Sequence, residues 1–273
     1  ETVVFDKTGT FTKAEPTVAE VIPFGGRSRD EMLRLAACLE EHFPHSIANA
    51  VVAQAQKEGL AHEEMHTKVD YVVAHGISSK VNDQQVLIGS HHFIFEDEKC
   101  RIPEGEEENF RNLPIGYSLL YLAISGELAA VLCIEEPLRE EAREIVAALK
   151  ETGIRKVVMM TGDSAGTAAA IAKKTGVDAF YAEVLPEDKA SFVEQEKAEG
   201  RKVIMVGDGI NDSPALSAAN AGIAVSGGAQ LAREIADITI SGEDLYQLVT
   251  LKRISNGLMK RIHRNYRFVI GFN

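Results

Sequence analysis

The stretch VVFDKTGT at residues 3–10 decides which fold we predict for this chain of 273 residues. Its apolar run predicts a buried strand that ends in Asp6, and small or hydroxyl-bearing residues come directly after it. A second stretch, VIMVGDGIND at residues 203–212, places Asp208 and Asp212 directly after another apolar run. Ligands bind at the carboxyl ends of the strands in a parallel α/β sheet, so we expect the two acidic loops to meet there.

The rest of the chain divides into two kinds of pattern. From residue 135 to 241, strand-like and helix-like stretches alternate, which is typical of a doubly wound parallel sheet. Residues 14–132 instead carry two helical segments and then alternating strands separated by turn residues. The predicted helices of the whole chain are 29–41, 47–59, 139–150, 165–174 and 189–199, and the predicted strands include 69–74, 85–88, 119–124 and 157–160.

We therefore predict an α/β protein with an inserted α+β domain. The doubly wound parallel sheet belongs to a discontinuous domain, residues 1–13 and 133–255, and the insert is 14–132. The last residues, 266–273, turn apolar after a basic stretch at 252–267, which is typical of the cytoplasmic flank of a membrane helix. A solvated C-terminal helix explains this last segment equally well.

Composition narrows the class of protein. The formal net charge of −12 argues against a nucleic-acid partner. The three cysteines, at 38, 100 and 133, form no CxxC pair, which favours neither a disulfide framework nor a zinc site.

Phosphoryl transfer is the chemistry that the acidic loops support. A carboxylate such as that of Asp6 can attack a phosphoryl group and form an aspartyl-phosphate. Asp208 and Asp212 can complete a Mg²⁺ site with Asp6, because Mg²⁺ favours carboxylate and phosphate oxygens. Lys189 could neutralise developing charge, and Thr161 in a Thr-Gly-Asp triplet could donate a hydrogen bond to the phosphoryl oxygens. Alone, such a triplet is usually a turn and such a lysine a surface residue; their joint occurrence, in this order, favours the active site.

The segments DKTGT at 6–10, TGD at 161–163 and GDGIND at 207–212 together resemble those of P-type ATPases of the haloacid dehalogenase superfamily. The resemblance implies that ATP phosphorylates Asp6 and that Mg²⁺ is held by Asp6, the Thr8 backbone carbonyl and Asp208. It places Thr161 and Lys189 on the phosphate. The further catalytic residues that it implies are Lys7, Gly162, Asp163 and Asn211.

The same resemblance gives each domain a function. It implies that 14–132 is a nucleotide-binding domain, that 1–13 and 133–255 form a phosphorylation domain, and that 256–273 begins a stalk or membrane helix. Residues 40–48 resemble the His-Pro element of heavy-metal-transporting P-type ATPases, in which a histidine contacts adenine and an acidic residue precedes it. Our candidates are His45, which we favour because Ile47 and Ala48 then match the next residues of that element, with His42 as the alternative register and Glu41 as the acidic residue.

Three weaker matches occur in the order typical of that subgroup. AHGI at 74–77 resembles a Gly-x-Gly nucleotide loop and provides Gly76, and VLIGS at 86–90 resembles a strand and Gly-Asn turn and provides Gly89. EPLR at 136–139 resembles an Asp-x-x-Arg element. Together with the His-Pro element, they favour the heavy-metal subgroup. The resemblance then implies ATP as a partner, a transported metal cation, and actuator and transmembrane domains of the same protein, with this chain on the cytoplasmic side of the cell membrane.

Two other activities compete with this interpretation. HEEMH at 62–66 fits the H-E-x-x-H pattern of zinc proteases, but no third ligand is evident and we expect a surface turn. A soluble haloacid dehalogenase-type phosphatase acting on small phosphate esters is the stronger alternative. Such phosphatases place a second Asp two residues after the nucleophile as general acid and base, whereas this chain has Thr8, which favours a long-lived phosphoenzyme. A nucleotide-binding regulator without catalysis is disfavoured by the intact acidic and lysine set.

Overall fold

The computed structural model describes residues 1–13, 15–42, 45–60, 66–72, 76–208, 212–226 and 234–272. These residues form two compact units, which we describe separately. The parallel unit comprises Glu1–Thr12, Leu138–Thr161 and Ile171–Asn273, and the antiparallel unit comprises Lys13–Pro137 and Gly162–Ala170.

The strands and helices are numbered in chain order. The strands are β1 (Thr2–Asp6), β2 (Thr17–Pro23), β3 (His66–Val72), β4 (Gly76–Val81), β5 (Gln84–Gly89), β6 (Ser118–Ile124), β7 (Glu127–Glu135), β8 (Lys156–Met160), β9 (Ala179–Tyr181), β10 (Val203–Gly207), β11 (Ala221–Ser226) and β12 (Ile238–Ser241). The helices are α1 (Arg29–Glu40), α2 (Ser46–Lys57), α3 (Glu107–Arg111), α4 (Ala142–Glu151), α5 (Ala165–Thr175), α6 (Pro186–Ala198), α7 (Ser213–Ala218) and α8 (Tyr246–Phe272).

The parallel unit is built on a six-stranded sheet in the order β12-β11-β10-β1-β8-β9, and all its pairings are parallel. The apolar run of β1 is fully buried, as expected for a central strand of a parallel sheet covered on both faces. The chain builds outward from β1 through β8 to β9 and then returns on the other side of β1 as β10. The carboxyl end of β1 therefore lies at a topological switch point, where α/β sheets bind their ligands. The predicted doubly wound sheet is confirmed.

The helices of the parallel unit differ in how they meet the sheet. Helix α4 buries an apolar face, as its spacing predicted, whereas α6 buries two charged side chains beside a single valine. Helix α8 is continuous across residue 256, where we expected a stalk or membrane helix to begin. Its apolar side chains beyond Ile254 are largely exposed. Within the described ranges, no helix is both long enough and apolar enough to cross a membrane.

The antiparallel unit is built on a second six-stranded sheet in the order β2-β7-β6-β5-β4-β3. Helices α1 and α2 cover one face and contribute to a core with Leu33, Val51 and Ile88. A second apolar cluster around Phe93 and Tyr121 lies apart from this core. Two tight hairpins fall where turn residues predicted them, and their central residues have positive φ: Asn82 (49°), Asp83 (63°), Ser125 (52°) and Gly126 (81°).

One predicted boundary is wrong. We ended the insert at residue 132, but β7 runs on to Glu135 and pairs with both β2 and β6. The chain passes between the units at 12/13, 137/138, 161/162 and 170/171. The apolar run of β7 is continuous through residue 132, so the sequence marks no end there. Of the H-E-x-x-H pattern, residues 62–65 lie outside the described ranges, and His66 opens strand β3.

Candidate active site

Asp6 ends the central strand β1, and a single wide turn, Lys7–Phe11, comes directly after it. Gly9 in this turn has a φ of +67°, and a Cβ atom built on it would lie 1.6 Å from Oδ2 of Asp208. Only glycine accepts both the positive φ and the close approach. The turn is thereby brought against the loop that begins after β10, as the two acidic stretches predicted.

Three carboxylates converge at this edge of the sheet. Ligand oxygens of Asp6, Asp208 and Asp212 all lie within 4.8 Å of one another. Asp212 precedes α7, and a Cβ on Gly207 would come within 2.5 Å of its Oδ2, so this glycine also makes room for a carboxylate. The three acidic residues that the sequence proposed for a metal site are therefore neighbours in space.

Lys189 holds two of these carboxylates. Its Nζ donates to Oδ1 of Asp6 at 2.7 Å and to Oδ1 of Asp212 at 2.8 Å. All three side chains are buried, and so is that of Lys7, the residue after Asp6. A buried ion pair is stable only with good geometry and further hydrogen bonds, so the cation and the two anions depend on one another.

Burial dominates the electrostatics of the site. Burial and then the neighbouring Asp212 carboxylate raise the pKa of Asp6 to about 6, although Lys189 and Lys7 act to lower it. Burial alone would lower the pKa of Lys189, but Asp6 and Asp212 raise it well above its usual range. At neutral pH the site therefore contains an ammonium group and carboxylates that repel one another. A divalent cation would relieve that repulsion, and oxygen ligands of this kind suit Mg²⁺.

Two residues outside our candidate set fix the turn after Asp6. Thr12 accepts a hydrogen bond from the Gly9 backbone N–H at 3.1 Å and donates to the Lys7 carbonyl at 3.4 Å. The buried guanidinium of Arg139 donates through Nε to the Thr10 carbonyl at 2.8 Å. The resemblance of residues 136–139 to an Asp-x-x-Arg element was the one signal that pointed to Arg139.

Thr161 occupies the corresponding position after β8. Asp6 pairs with Met160 across the sheet, so Thr161 is the next residue beyond the level of Asp6. Thr161 is buried, and its backbone is fixed by bonds to the Tyr181 carbonyl and the Val184 N–H, both at 3.0 Å. Gly162 and Asp163 belong to the antiparallel unit. Asn211 lies outside the described residues, and Thr8 is half-buried within the turn.

The nucleotide candidates lie in the antiparallel unit. His45 caps α2: its Nδ1 accepts a hydrogen bond from the Ala48 N–H at 3.2 Å, and its Nε2 lies 3.3 Å from the carboxylate of Glu40. Glu40 is buried, whereas Glu41 and His42 are exposed. The acidic residue that contacts His45 is therefore Glu40, one position before our candidate. The sequence showed both glutamates, and only the phase of α1 distinguishes them.

The two candidate glycines pair with each other across β4 and β5. Gly76 opens β4 opposite Gly89, which is buried and also pairs with Tyr121. A Cβ on Gly76 would lie 2.4 Å from the ring of Phe93 and 2.5 Å from the Ile88 carbonyl. Packing against Phe93 is therefore sufficient to require glycine at this position, independently of any ligand.

Comparisons with known proteins agree with this fold. A profile of the haloacid dehalogenase-like hydrolases matches residues 1–220. The chain belongs to this family. Within it, the chain is homologous to the catalytic portion of heavy-metal P-type ATPases. It is 37% identical over its whole length to a probable copper-exporting P-type ATPase V of Mycobacterium tuberculosis. It is 35% identical over its whole length to the copper-exporting P-type ATPase of Bacillus subtilis.

Solved structures show the same relationship. The catalytic domain of the CPx-ATPase CopB-B is 25% identical, with a TM-score of 0.76, and the match covers 92% of this chain and 88% of that domain. A zinc-transporting PIB-type ATPase in the E2.Pi state is 32% identical, with a TM-score of 0.58, and the match covers 99% of this chain and 43% of that one. The chain spans about a third of the length of the curated relatives, 35% of the mycobacterial protein.

Proposed function

We propose that this chain is the ATP-binding and autophosphorylating part of a heavy-metal cation-translocating P-type ATPase. ATP phosphorylates Asp6, and hydrolysis of the aspartyl-phosphate drives transport through a membrane part of a longer protein. The observation that carries the proposal is the convergence of Asp6, Lys189, Asp208 and Asp212 at the switch point of the parallel sheet. Homology to the catalytic portion of heavy-metal P-type ATPases supports it.

The reaction has two steps at the Asp6 carboxylate. An Oδ atom of Asp6 attacks the γ-phosphorus of ATP, the bond from that phosphorus to the β,γ-bridging oxygen breaks, and ADP leaves. Water then attacks the phosphorus of the aspartyl-phosphate, the acyl oxygen–phosphorus bond breaks, and phosphate leaves the regenerated carboxylate. The first step needs an ionised carboxylate, and a pKa of about 6 leaves most of Asp6 ionised at pH 7.

The residues around Asp6 each have a role in that chemistry. Bound Mg²⁺, held by Asp6, the Thr8 carbonyl, Asp208 and Asp212, would neutralise charge on the phosphoryl oxygens. Lys189 keeps the nucleophile in place and provides a cation where negative charge develops. Thr161, directly beyond β8, is assigned to hydrogen-bond the phosphoryl group. Lys7, Gly162, Asp163 and Asn211 are assigned catalytic roles on the resemblance of their sequence segments alone.

Thr8 separates this proposal from a phosphatase of the same family. A general acid and base two residues after the nucleophile would speed breakdown of the phosphoenzyme, and a threonine hydroxyl does not titrate in the range needed. The phosphoenzyme should therefore persist long enough to be coupled to transport. If the protein hydrolysed a small phosphate ester rapidly and no phosphoenzyme were isolated after acid quenching, the phosphatase would be favoured instead.

The antiparallel unit is proposed to bind the nucleotide. His45 is preferred over His42 for the adenine contact, because its ring is already fixed between the α2 N-terminus and Glu40. Glu41 stays the acidic candidate from the sequence, and Glu40 is a second candidate because its carboxylate lies beside His45. Gly76 and Gly89 remain candidates for the nucleotide loop, although Phe93 alone explains the glycine at 76.

The remaining parts of the proposal concern the longer protein. We propose that residues 14–132, extended to 137, form the nucleotide-binding domain and that residues 1–13 and 133–255, shortened to begin at 138, act as the phosphorylation domain. Residues 256–273 continue α8 toward a membrane, with the catalytic part on the cytoplasmic side. Transmembrane and actuator domains of the same protein and a heavy-metal cation are the other partners, and nucleic acid is not one.

Phosphoenzyme mapping tests the proposal. The protein is incubated with Mg²⁺ and [γ-³²P]ATP and quenched in acid, and label that hydroxylamine releases is measured. Reduction with borohydride, which converts an aspartyl-phosphate to homoserine, then locates the site by mass spectrometry. We expect homoserine at position 6 and no label in Asp6→Asn. Label that persists in Asp6→Asn would overturn the assignment.

A further inference from the structure

Helix α6 is joined to the parallel sheet by charged as well as apolar side chains. Its buried residues are Lys189, Val193 and Glu196, which lie four and three positions apart and so share one face of the helix. Only Val193 of them is apolar, and the half-buried Phe192 next to it also packs against the core. The two buried charges add contacts of fixed direction to this narrow apolar contact and so help to set the position of α6.

Glu196 is bound by three other segments of the parallel unit. Its carboxylate accepts hydrogen bonds from the Thr2 hydroxyl on β1 at 3.0 Å and from Nζ of Lys156 on β8 at 3.3 Å. Arg201, just before β10, donates through Nε at 2.6 Å and through a terminal nitrogen at 2.9 Å. Burial would raise the pKa of Glu196, but Arg201, Thr2 and Lys156 lower it, so the carboxylate is ionised at neutral pH.

Helix α6 and strand β1 are therefore joined near both of their ends. Lys189, near the start of α6, binds Asp6 at the end of β1, whereas Glu196, near the end of α6, binds Thr2 at the start of β1. Seven residues of helix rise about 10 Å. Four residues of strand rise about 13 Å. The two contacts thus match in spacing along antiparallel elements, and a shift of α6 along β1 would break both.

We propose that Glu196 is a positioning residue, which acts through α6 to hold the Lys189 ammonium between Asp6 and Asp212. This inference rests on the proposed function, because it assigns Glu196 to the same phosphoryl site. Stability alone does not account for the residue, since replacing a buried ion pair with an apolar side chain of similar volume is often neutral or stabilising. The hydrogen bonds of the Glu196 carboxylate specify the position of α6, which an apolar contact would not do.

Binding of Mg²⁺ and beryllium trifluoride tests the proposal. This anion coordinates a carboxylate oxygen as a phosphoryl group does, so its affinity reports on the Asp6–Lys189 geometry without any turnover. The dissociation constant is measured by ¹⁹F NMR for the wild-type chain and its variants. We expect Glu196→Leu to weaken binding about tenfold, since small displacements of positioning groups have effects of this order. Thr2 and Lys156 donate to different oxygens of Glu196, so Glu196→Gln keeps one acceptor and loses the other together with the charge. It should lose less affinity than Glu196→Leu, about half of that loss on a logarithmic scale.

Asp178→Leu is the matched control. The Asp178 carboxylate also joins a helix to a strand of the parallel unit, through Nζ of Lys150 on α4 at 2.7 Å and the Val157 N–H on β8 at 2.8 Å, but it does not touch α6. The affinity of Asp178→Leu for beryllium trifluoride should equal that of the wild type. Thermal unfolding is measured for every variant, so that loss of affinity can be separated from loss of fold.

The outcomes are distinguishable. If the wild-type chain does not bind the anion, or Asp6→Asn binds it equally well, the proposed function fails. If the wild type binds and a folded Glu196→Leu binds as tightly, the positioning role is overturned while the proposed function stands. Losses that parallel thermal stability across all variants, Asp178→Leu included, would likewise overturn the positioning role, because they would show a structural effect alone.

Discussion

Charged side chains lie in different environments in two regions of the molecule. One region is the edge of the parallel sheet around Asp6, which we call the catalytic edge, and the other is the segment around His45 in the antiparallel unit. At the edge, Asp6, Asp212 and Lys189 are 8%, 1% and 6% exposed and depend on one another. In the other segment, the imidazole of His45 is 47% exposed and only its partner Glu40 is buried. Low dielectric strengthens every interaction in the first region, and solvent screens those in the second. Substitutions should therefore have large effects at the catalytic edge and small ones around His45.

Removal of the Lys189 ammonium should have the largest effect. Lys189→Met leaves the Asp6 and Asp212 carboxylates buried without their cation. We expect the free energy of unfolding to fall by about 3 kcal/mol in chelator at neutral pH. Denaturant titration measures it, and added Mg²⁺ should restore part of the loss because it binds the folded state. Lys150→Met breaks a half-exposed pair with Asp178 and should cost less than about 1 kcal/mol. Equal losses of unfolding free energy in Lys189→Met and Lys150→Met would contradict the contrast between buried and partly exposed charges.

Neutralising Asp6 should act in the opposite direction. Its folded pKa is raised from 3.8 to about 6, so its contribution to stability is present at low pH and is lost as pH rises through about 6. Asp6→Asn has no carboxyl group at this position, so the variant does not lose stability as the pH rises. The variant should therefore be more stable than the wild type by about 2 kcal/mol at neutral pH without divalent cations, and the difference should shrink as the pH falls below 4. Unfolding curves across that pH range measure it. A variant less stable than the wild type at neutral pH would contradict the raised pKa.

These effects could be foreseen only in part from the sequence. Asp6, Asp208 and Asp212 were found because they belong to short segments that follow apolar strands, where a local pattern fixes the position of the residue. Lys189, on helix α6, was singled out by its order in the chain together with those segments. Glu40 and Glu196 were not found, because a carboxylate on a helix is recognised as buried only once the phase of the helix and its neighbours are known. The boundary at residue 132 was misplaced for a related reason: β7 shows no change of pattern where we expected a domain to end.

Gly9→Ala should have the next largest effect, and it compares the two units directly. Gly9 and Gly59 have nearly the same φ, +67° and +70°, but a Cβ on Gly9 would meet Asp208 at 1.6 Å whereas one on Gly59 would meet nothing within 4 Å. Gly59→Ala should cost about 1 kcal/mol of unfolding free energy, which is the cost of the backbone conformation. Gly9→Ala should cost about twice that and should also weaken Mg²⁺ binding, measured by calorimetry. Equal costs would show that Asp208 moves aside freely.

The smallest effects should come from the two histidines. His45→Ala removes the cap of α2 and the contact with Glu40, so we expect a loss of about 1 kcal/mol in unfolding free energy. If His45 contacts adenine, ATP affinity measured by calorimetry should fall severalfold as well. His42→Ala, at an exposed position three residues earlier, should change stability by less than about 0.5 kcal/mol and leave ATP affinity intact. A larger loss of ATP affinity in His42→Ala than in His45→Ala would move the adenine contact to His42. His45→Asn provides a further test, because asparagine can cap α2 but has no imidazole. If stability and ATP affinity both fall in His45→Ala and His45→Asn restores the affinity, capping by a side-chain acceptor is sufficient and the imidazole itself does not contact the nucleotide.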